Sequence, residues 1–269
     1  MENHFLVLRF FSIRMNKNQL HKILYAAILL FMVFGLNCDR SDPSSSNNNT
    51  IIPTLTPITV YTLNITEPSG IAYNSKNNTL LIVSDGNPDI YETNFTGNIL
   101  RTIPTSSSDM EGITLSKNCD TIYVVEETNK LVTTYSESGT RLNSFSFDVA
   151  TNPKHAMEGI SRNLSNGHSF IINEKLPCML LEFNNSTEIW RKEINYSTDI
   201  SDIFYDQTDS SLWIVSDESK RILKLTSAGN LISEWGITVV QGEGITIVQD
   251  KIYIVSDPES KMYVFQKPM

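Results

Sequence analysis

Cysteine, basic residues and long apolar runs are all scarce in this chain, and each scarcity excludes a class of protein. Three cysteines (Cys38, Cys119, Cys178) in 269 residues cannot staple a disulfide-built scaffold, so the fold must rest on a hydrophobic core. The apolar run Ile23 to Leu36 has 14 residues, short of the roughly 20 that carry a helix across a bilayer. Lys and Arg number 21 against 30 Asp and Glu, a formal charge of −9. Four of the basic residues lie in the first 37, so the remainder is more acidic still, with 17 against 29. Such a surface repels phosphate backbones and anionic lipid, which excludes nucleic acid as a partner. No G-x-S-x-G, H-E-x-x-H, phosphate loop or dinucleotide fingerprint occurs, which leaves nucleophilic hydrolases, zinc proteases, NTPases and Rossmann enzymes without support. What is present is a globular composition, 40% hydrophobic and 19% charged, with no low-complexity bias.

The N-terminus reads as an address. Lys17 and Lys22 precede the run ILYAAILLFMVFGL, which has the length of a signal-peptide core, and Met15 is an alternative start. The run ends at Gly35-Leu36-Asn37-Cys38, a relaxed lipobox, followed by the polar tether DRSDPSSSNNNT expected behind a lipidated cysteine. The expectation is a signal peptide over 1–37, lipidated Cys38 and a tether over 38–56, and a bacterial cell-envelope lipoprotein held at a periplasmic or outer-membrane face. An ordinary signal peptide cut near Cys38 is the alternative.

From there the chain repeats. PSGIAY at Pro68, MEGITL at Met110, MEGISR at Met157, ISDIFY at Ile200 and GEGITI at Gly242 share one start. Their reference residues Ser69, Glu111, Glu158, Ser201 and Glu243 are spaced 42, 47, 43 and 42. A second column, Asp85, Glu127, Glu174, Asp217 and Asp257, follows at 16 residues in four repeats and 14 in the last. Each repeat then holds a continuous apolar run, such as Leu80 to Val83, a third strand that alternates, as in RILKL at Arg221, and a more polar fourth, as in TEIWRKEI at Thr187. Burial falling from inner to outer strand is the signature of a blade lying radially from an axis. Repeats of this length predict an all-β, five-bladed propeller of four-stranded blades over 57–269. The last repeat stops after its third strand, KMYVF at Lys261, while ITVYTLNI at Ile58 has no blade; the N-terminal strand is expected to complete the last blade. A six-bladed ring and an open solenoid are the alternatives.

Residues just before the first strands stand at one mouth of a propeller's channel, so Ser69, Glu111, Glu158, Ser201 and Glu243 should form a ring there, with Glu67, Asp109, Asp199 and Asp202 close by. Carboxylates converging in a narrow opening raise one another's pKa unless a cation compensates. Ca²⁺, which accepts 6 to 8 oxygens at about 2.3–2.6 Å, suits such a set; zinc does not, because the ring offers neither His nor Cys. Metal ligands are assigned to Glu111, Glu158 and Glu243, with Ser69, Ser201, Asp202, Asp109 and Asp199 as additional mouth residues. The competing reading is that each Glu satisfies backbone N–H groups of its strand. For the second acidic column the structural reading leads, since an acid directly after a strand commonly caps the following turn. His155 reads as a loop hydrogen-bonder, Trp190, Trp213 and Trp235 as packing between blades, and Cys119 and Cys178 as free thiols on opposite faces. N-x-S/T triplets such as Asn64-Ile65-Thr66 follow from an Asn-rich composition.

The paired motifs PSGIAYNSKNNTLLIVSD, MEGITL with IYVVEE, HAMEGIS with FIINEK, DISDIFYDQTDSSLWIVSDESKRILKL and GEGITI with IYIVSD resemble the SdiA-regulated (YjiK-like) family, whose blades are similar to NHL repeats. The resemblance covers nearly all of Glu67 to Phe265 and implies a five-bladed bacterial propeller with a bound calcium ion and no established activity. Lactonases of the gluconolactonase and regucalcin type are similar in using an acid before a first-strand glycine as metal ligand, which maps onto Glu111, Glu158 and Glu243. This chain departs from them at Ser69 and Ser201, in having no Asn ligand in the ring, and in having no evident basic residue to hold an oxyanion. Two functions follow: a monomeric, non-enzymatic binding propeller on the envelope whose partner is an envelope ligand or protein, and a calcium-dependent lactonase or phosphoesterase-like hydrolase.

Overall fold

The computed structural model describes residues 51–147 and 157–269; the leader run, Cys38 and His155 lie outside them. Within the described residues the chain is all β. Blade 1 comprises β2 (Pro68–Asn74), β3 (Thr79–Ser84), β4 (Asn87–Thr93) and β5 (Ile99–Pro104). Blade 2 comprises β6 (Met110–Leu115), β7 (Thr121–Glu126), β8 (Leu131–Ser136) and β9 (Arg141–Ser146). Blade 3 comprises β10 (Met157–Arg162), β11 (Ser169–Asn173), β12 (Met179–Asn184) and β13 (Thr187–Glu193). Blade 4 comprises β14 (Asp202–Asp206), β15 (Ser211–Ser216), β16 (Arg221–Thr226) and β17 (Leu231–Gly236). In blade 5, β18 (Gly242–Val248), β19 (Lys251–Ser256) and β20 (Lys261–Gln266) are joined by β1 (Thr59–Thr62), in the order β1-β20-β19-β18. Thr59 pairs with Val264 and Thr62 with Lys261, so both edges of β20 are hydrogen-bonded.

The inner strands touch in a closed cycle, β2 to β6 to β10 to β14 to β18 and back to β2. Five apolar clusters fill the five clefts between neighbouring blades. Leu81 and Ile90 meet Ile113 and Ile122 between blades 1 and 2; Leu180 and Ile194 meet Ile203 and Leu212 between blades 3 and 4. At roughly 1.5–3 kcal/mol for each fully buried aliphatic side chain, these clefts are the main source of stability. The second strands β3 and β15 are buried at every position, while β9 and β13 are largely exposed. The apolar runs are therefore strands sandwiched on both faces, and the polar fourth strands are the wet outer edges.

Trp213 and Trp235 stack with ring centroids 5.4 Å apart and pack into the cleft with blade 5; Trp190 lies against the cleft of blades 3 and 4. Cys119 and Cys178 are both free and buried. Residues placed in the tether by sequence pattern are also held: Leu55 donates to the Gly236 carbonyl at 2.8 Å, and Gly236 donates to that of Pro53 at 2.9 Å.

Candidate metal centre

Four of the five inner strands begin with a bulge, in which Ser69–Gly70, Glu111–Gly112 and Glu158–Gly159, and in blade 5 Glu243 alone, interrupt the register with the second strand. A bulge bends the strand and re-aims the inserted side chain. The glycine is required by crowding: a Cβ on Gly112 would sit 2.6 Å from the Glu158 carbonyl oxygen and 2.9 Å from the Gly159 Cα. At this layer the strands press backbone to backbone at four of the five junctions around the axis.

Blade 4 breaks the pattern, because Asp202 stands where the others have glycine. It is 1% exposed, its Oδ2 accepts the Ile245 N–H at 2.8 Å, and its Oδ1 has no partner among the described residues. Burial pushes its pKa well above the usual carboxylate range.

Above this layer the carboxylates gather. Asp85, Asp109 and Glu111 each bring an oxygen to within 4.8 Å of the others. Asp109 also uses Oδ2 to accept the Thr128 N–H at 2.6 Å, which fixes its side chain. Burial, then a hydrogen bond to Asp109 and the charges of Asp109, Glu67 and Asp257, push Asp85 to about 6. Burial followed by Asp85 and Asp109 pushes Glu111 well above its ordinary value. Glu158 is raised by burial and then by Glu111, Glu127, Glu174 and Glu243; Glu243 rises to about 7 through burial, Asp217 and Asp257. Among the described residues no Lys or Arg is paired with Asp85, Asp109 or Glu111, whereas Glu174 meets Lys175 at 2.7 Å and Asp217 meets Lys220 at 2.5 Å. Among the described residues, carboxylates without a basic partner therefore gather at Asp85, Asp109 and Glu111, over blades 1 and 2.

The residues expected at the mouth divide accordingly. Glu111 and Asp109 join the close group; Glu158 and Glu243 stand outside it but within electrostatic reach. Ser69 donates its hydroxyl to the Met110 carbonyl, and Ser201 faces Asp199 at 3.5 Å. Asp199 itself closes a turn, accepting the N–H groups of Asp217 at 2.9 Å and Glu218 at 3.1 Å and the Ser216 hydroxyl at 2.5 Å. The turn-capping role expected of the second acidic column thus belongs, in blades 2 and 4, to the acids before the inner strand, Asp109 and Asp199. Asp85 moves into the site instead. The signal that could have found it is the antiparallel pairing of Pro68 with Ser84, which sets Asp85 beside Glu67 at the level of the ring.

A donor set of carboxylates alone, without His or Cys, fits a hard cation. Oxygens 4.8 Å apart can share one ion, since two ligands at about 2.4 Å on opposite sides are separated by about that distance.

Residues 56–266 match the model of the SdiA-regulated family, and the chain belongs to it. Among solved structures, Myxococcus xanthus glutaminyl cyclase is similar at 10% identity and a TM-score of 0.62, over 79% of this chain and 96% of that one. A chain of a nidogen/laminin complex is similar at 14% identity and a TM-score of 0.56, over 74% and 76%. Both likenesses concern the propeller fold.

Proposed function

We infer that the protein is a calcium-binding propeller that serves as a non-enzymatic binding module, held at the bacterial cell envelope through Cys38. The observation that carries the calcium reading is the convergence of Asp85, Asp109 and Glu111 oxygens within 4.8 Å with no basic partner for them among the described residues. Glu158 and Glu243 extend the negative surface around the ion, and the bound charge would hold all five carboxylates ionised. The lipid anchor rests on the lipobox and tether, and mass measurement of the mature N-terminus tests it. A hydrolase would need a pocket beside the ion; among the described residues a cavity of about 310 Å³ opens at the other end of the inner strands, which supports the binding reading. Calorimetric titration of the full-length chain with calcium is the direct test. One site is expected, weakened at least tenfold in Glu111→Gln and Asp85→Asn; undiminished binding in both variants would remove the assignment.

A further inference from the structure

The inner strands run from the acidic mouth to a second opening whose chemistry is different. The cavity there is walled by one aliphatic layer, Ile71, Ile113, Ile160, Ile203 and Ile245, one residue from each blade. Two positions further along each strand the repeat places Tyr73, Leu115, Tyr205 and Ile247 in four blades and Arg162 in the fifth. That arginine is the one Lys or Arg among the described residues lining the cavity, and Asp206, the one acid there, is already engaged by Lys267 and by the Thr208 N–H at 2.9 Å.

Arg162 is held in place but not neutralised. Its guanidinium lies 4.2 Å over the Tyr123 ring and donates to the Ser169 hydroxyl at 2.8 Å and the Gly167 carbonyl at 2.7 Å. Gln207 of blade 4 fixes its backbone by donating to the Arg162 carbonyl at 2.7 Å. Its Nε is buried without a partner, and no carboxylate bonds to it among the described residues. A guanidinium has five N–H donors; the recorded contacts use one on each terminal nitrogen and Nε is buried, so the second proton on each terminal nitrogen is what remains for a planar carboxylate. Nearby, the Tyr205 hydroxyl accepts from Asn163 at 3.1 Å, which leaves its own proton for a ligand oxygen.

We propose that this opening binds an apolar monocarboxylate, its carboxylate on Arg162 and its hydrocarbon against the isoleucine layer. One cation without a second beside it suits a monoanion better than a phosphate. The volume of about 310 Å³ is roughly twice that of an engineered apolar cavity that holds benzene, so a chain of eight to ten carbons or a fused bicyclic acid has the right size. The site is separated from the acidic mouth by the glycine layer, so occupancy should not require calcium.

Decanoate and decan-1-ol, titrated calorimetrically into the full-length chain in the presence of a calcium chelator, test this. Decanoate should bind one per chain; Arg162→Gln should weaken it at least tenfold while changing decan-1-ol less than twofold, and Thr114→Trp, which fills the half-buried wall, should weaken both. A readout on the unmodified protein is Cys119, which lines the cavity, whereas Cys178 lies with its Sγ near the Ser197 carbonyl. Decanoate should slow maleimide labelling of Cys119 and not of Cys178, as read by peptide mass. Absent decanoate binding, equal loss of acid and alcohol in Arg162→Gln, or Cys119 labelling unchanged at saturating decanoate would each overturn the proposal.

Discussion

Asp199 Oδ2 accepts the backbone N–H of Asp217 at 2.9 Å, so an acid that precedes the inner strand closes the turn after the second strand of the same blade. Asp199 is 1% exposed and also takes the Glu218 N–H and the Ser216 hydroxyl, whereas Asp217 meets Lys220 across a partly open surface. Replacing Asp199 by Asn sets an amide donor against N–H groups that need an acceptor and is expected to cost about 2–3 kcal/mol. Asp217→Asn loses a surface pair worth about 0–1 kcal/mol. Urea denaturation of both variants checks the order; a larger loss for Asp217→Asn would reverse the assignment of the cap.

Gly112→Ala is expected to be among the most damaging single changes in the chain. Its methyl group would meet backbone on the neighbouring blade at 2.6 Å, and backbone in a closed ring cannot step aside as a side chain can. A loss above about 3 kcal/mol is expected. Gly167→Ala supplies the contrast: its φ of 79° is unfavourable for alanine, but the nearest atom beyond its chain neighbours is Arg162 Nη2 at 3.5 Å, so about 1 kcal/mol should be lost. Similar melting temperatures for the two variants would contradict the crowding.

Cys178 should alkylate slowly at pH 8. Burial, followed by Asp199, Glu174 and Glu218, pushes its thiol to about 11, and the thiolate is the reacting species. Iodoacetamide labelling that accelerates only above pH 10 is the expected profile. Rapid labelling at neutral pH would show that the shell around it opens.

The architecture was legible because a closed ring of identical layers forces the same burial gradient on every repeat, and that gradient is written in strand composition. Glu111 and Asp109 were legible for the same reason. Asp85 was not, because its place in the site comes from the pairing of two antiparallel strands, while its position in sequence looks like an ordinary turn acid. Asp202 was readable as a glycine column broken once, though its burial without a partner for Oδ1 depends on how tightly the five backbones close. The opposite cavity left the faintest trace: its wall is five isoleucines that any strand could carry, and Arg162 differs from Tyr73, Leu115, Tyr205 and Ile247 only once the repeats are aligned.

The metal-free protein is expected to lose stability as pH rises from 5 to 7.5. Asp85 is displaced from an ordinary 3.8 to about 6 and Glu243 from 4.5 to about 7. Between those values the folded state holds protons that the unfolded chain has released, so stability falls with rising pH through that window. Glu243 alone accounts for roughly 2 kcal/mol across that window. Groups displaced the other way do not mask this: against the opposing effect of burial, Ser211 and Lys224 hold Asp209 at about 2, and its contribution is lost only below its ordinary value. Calcium should flatten the profile, since an ion on Asp85, Asp109 and Glu111 favours the ionised forms. Denaturation at pH 5 and 7.5, with chelator and with millimolar calcium, measures both slopes. Stability that rises across this range in chelator would mean that these carboxylates are solvated and that no cation is needed to hold them together.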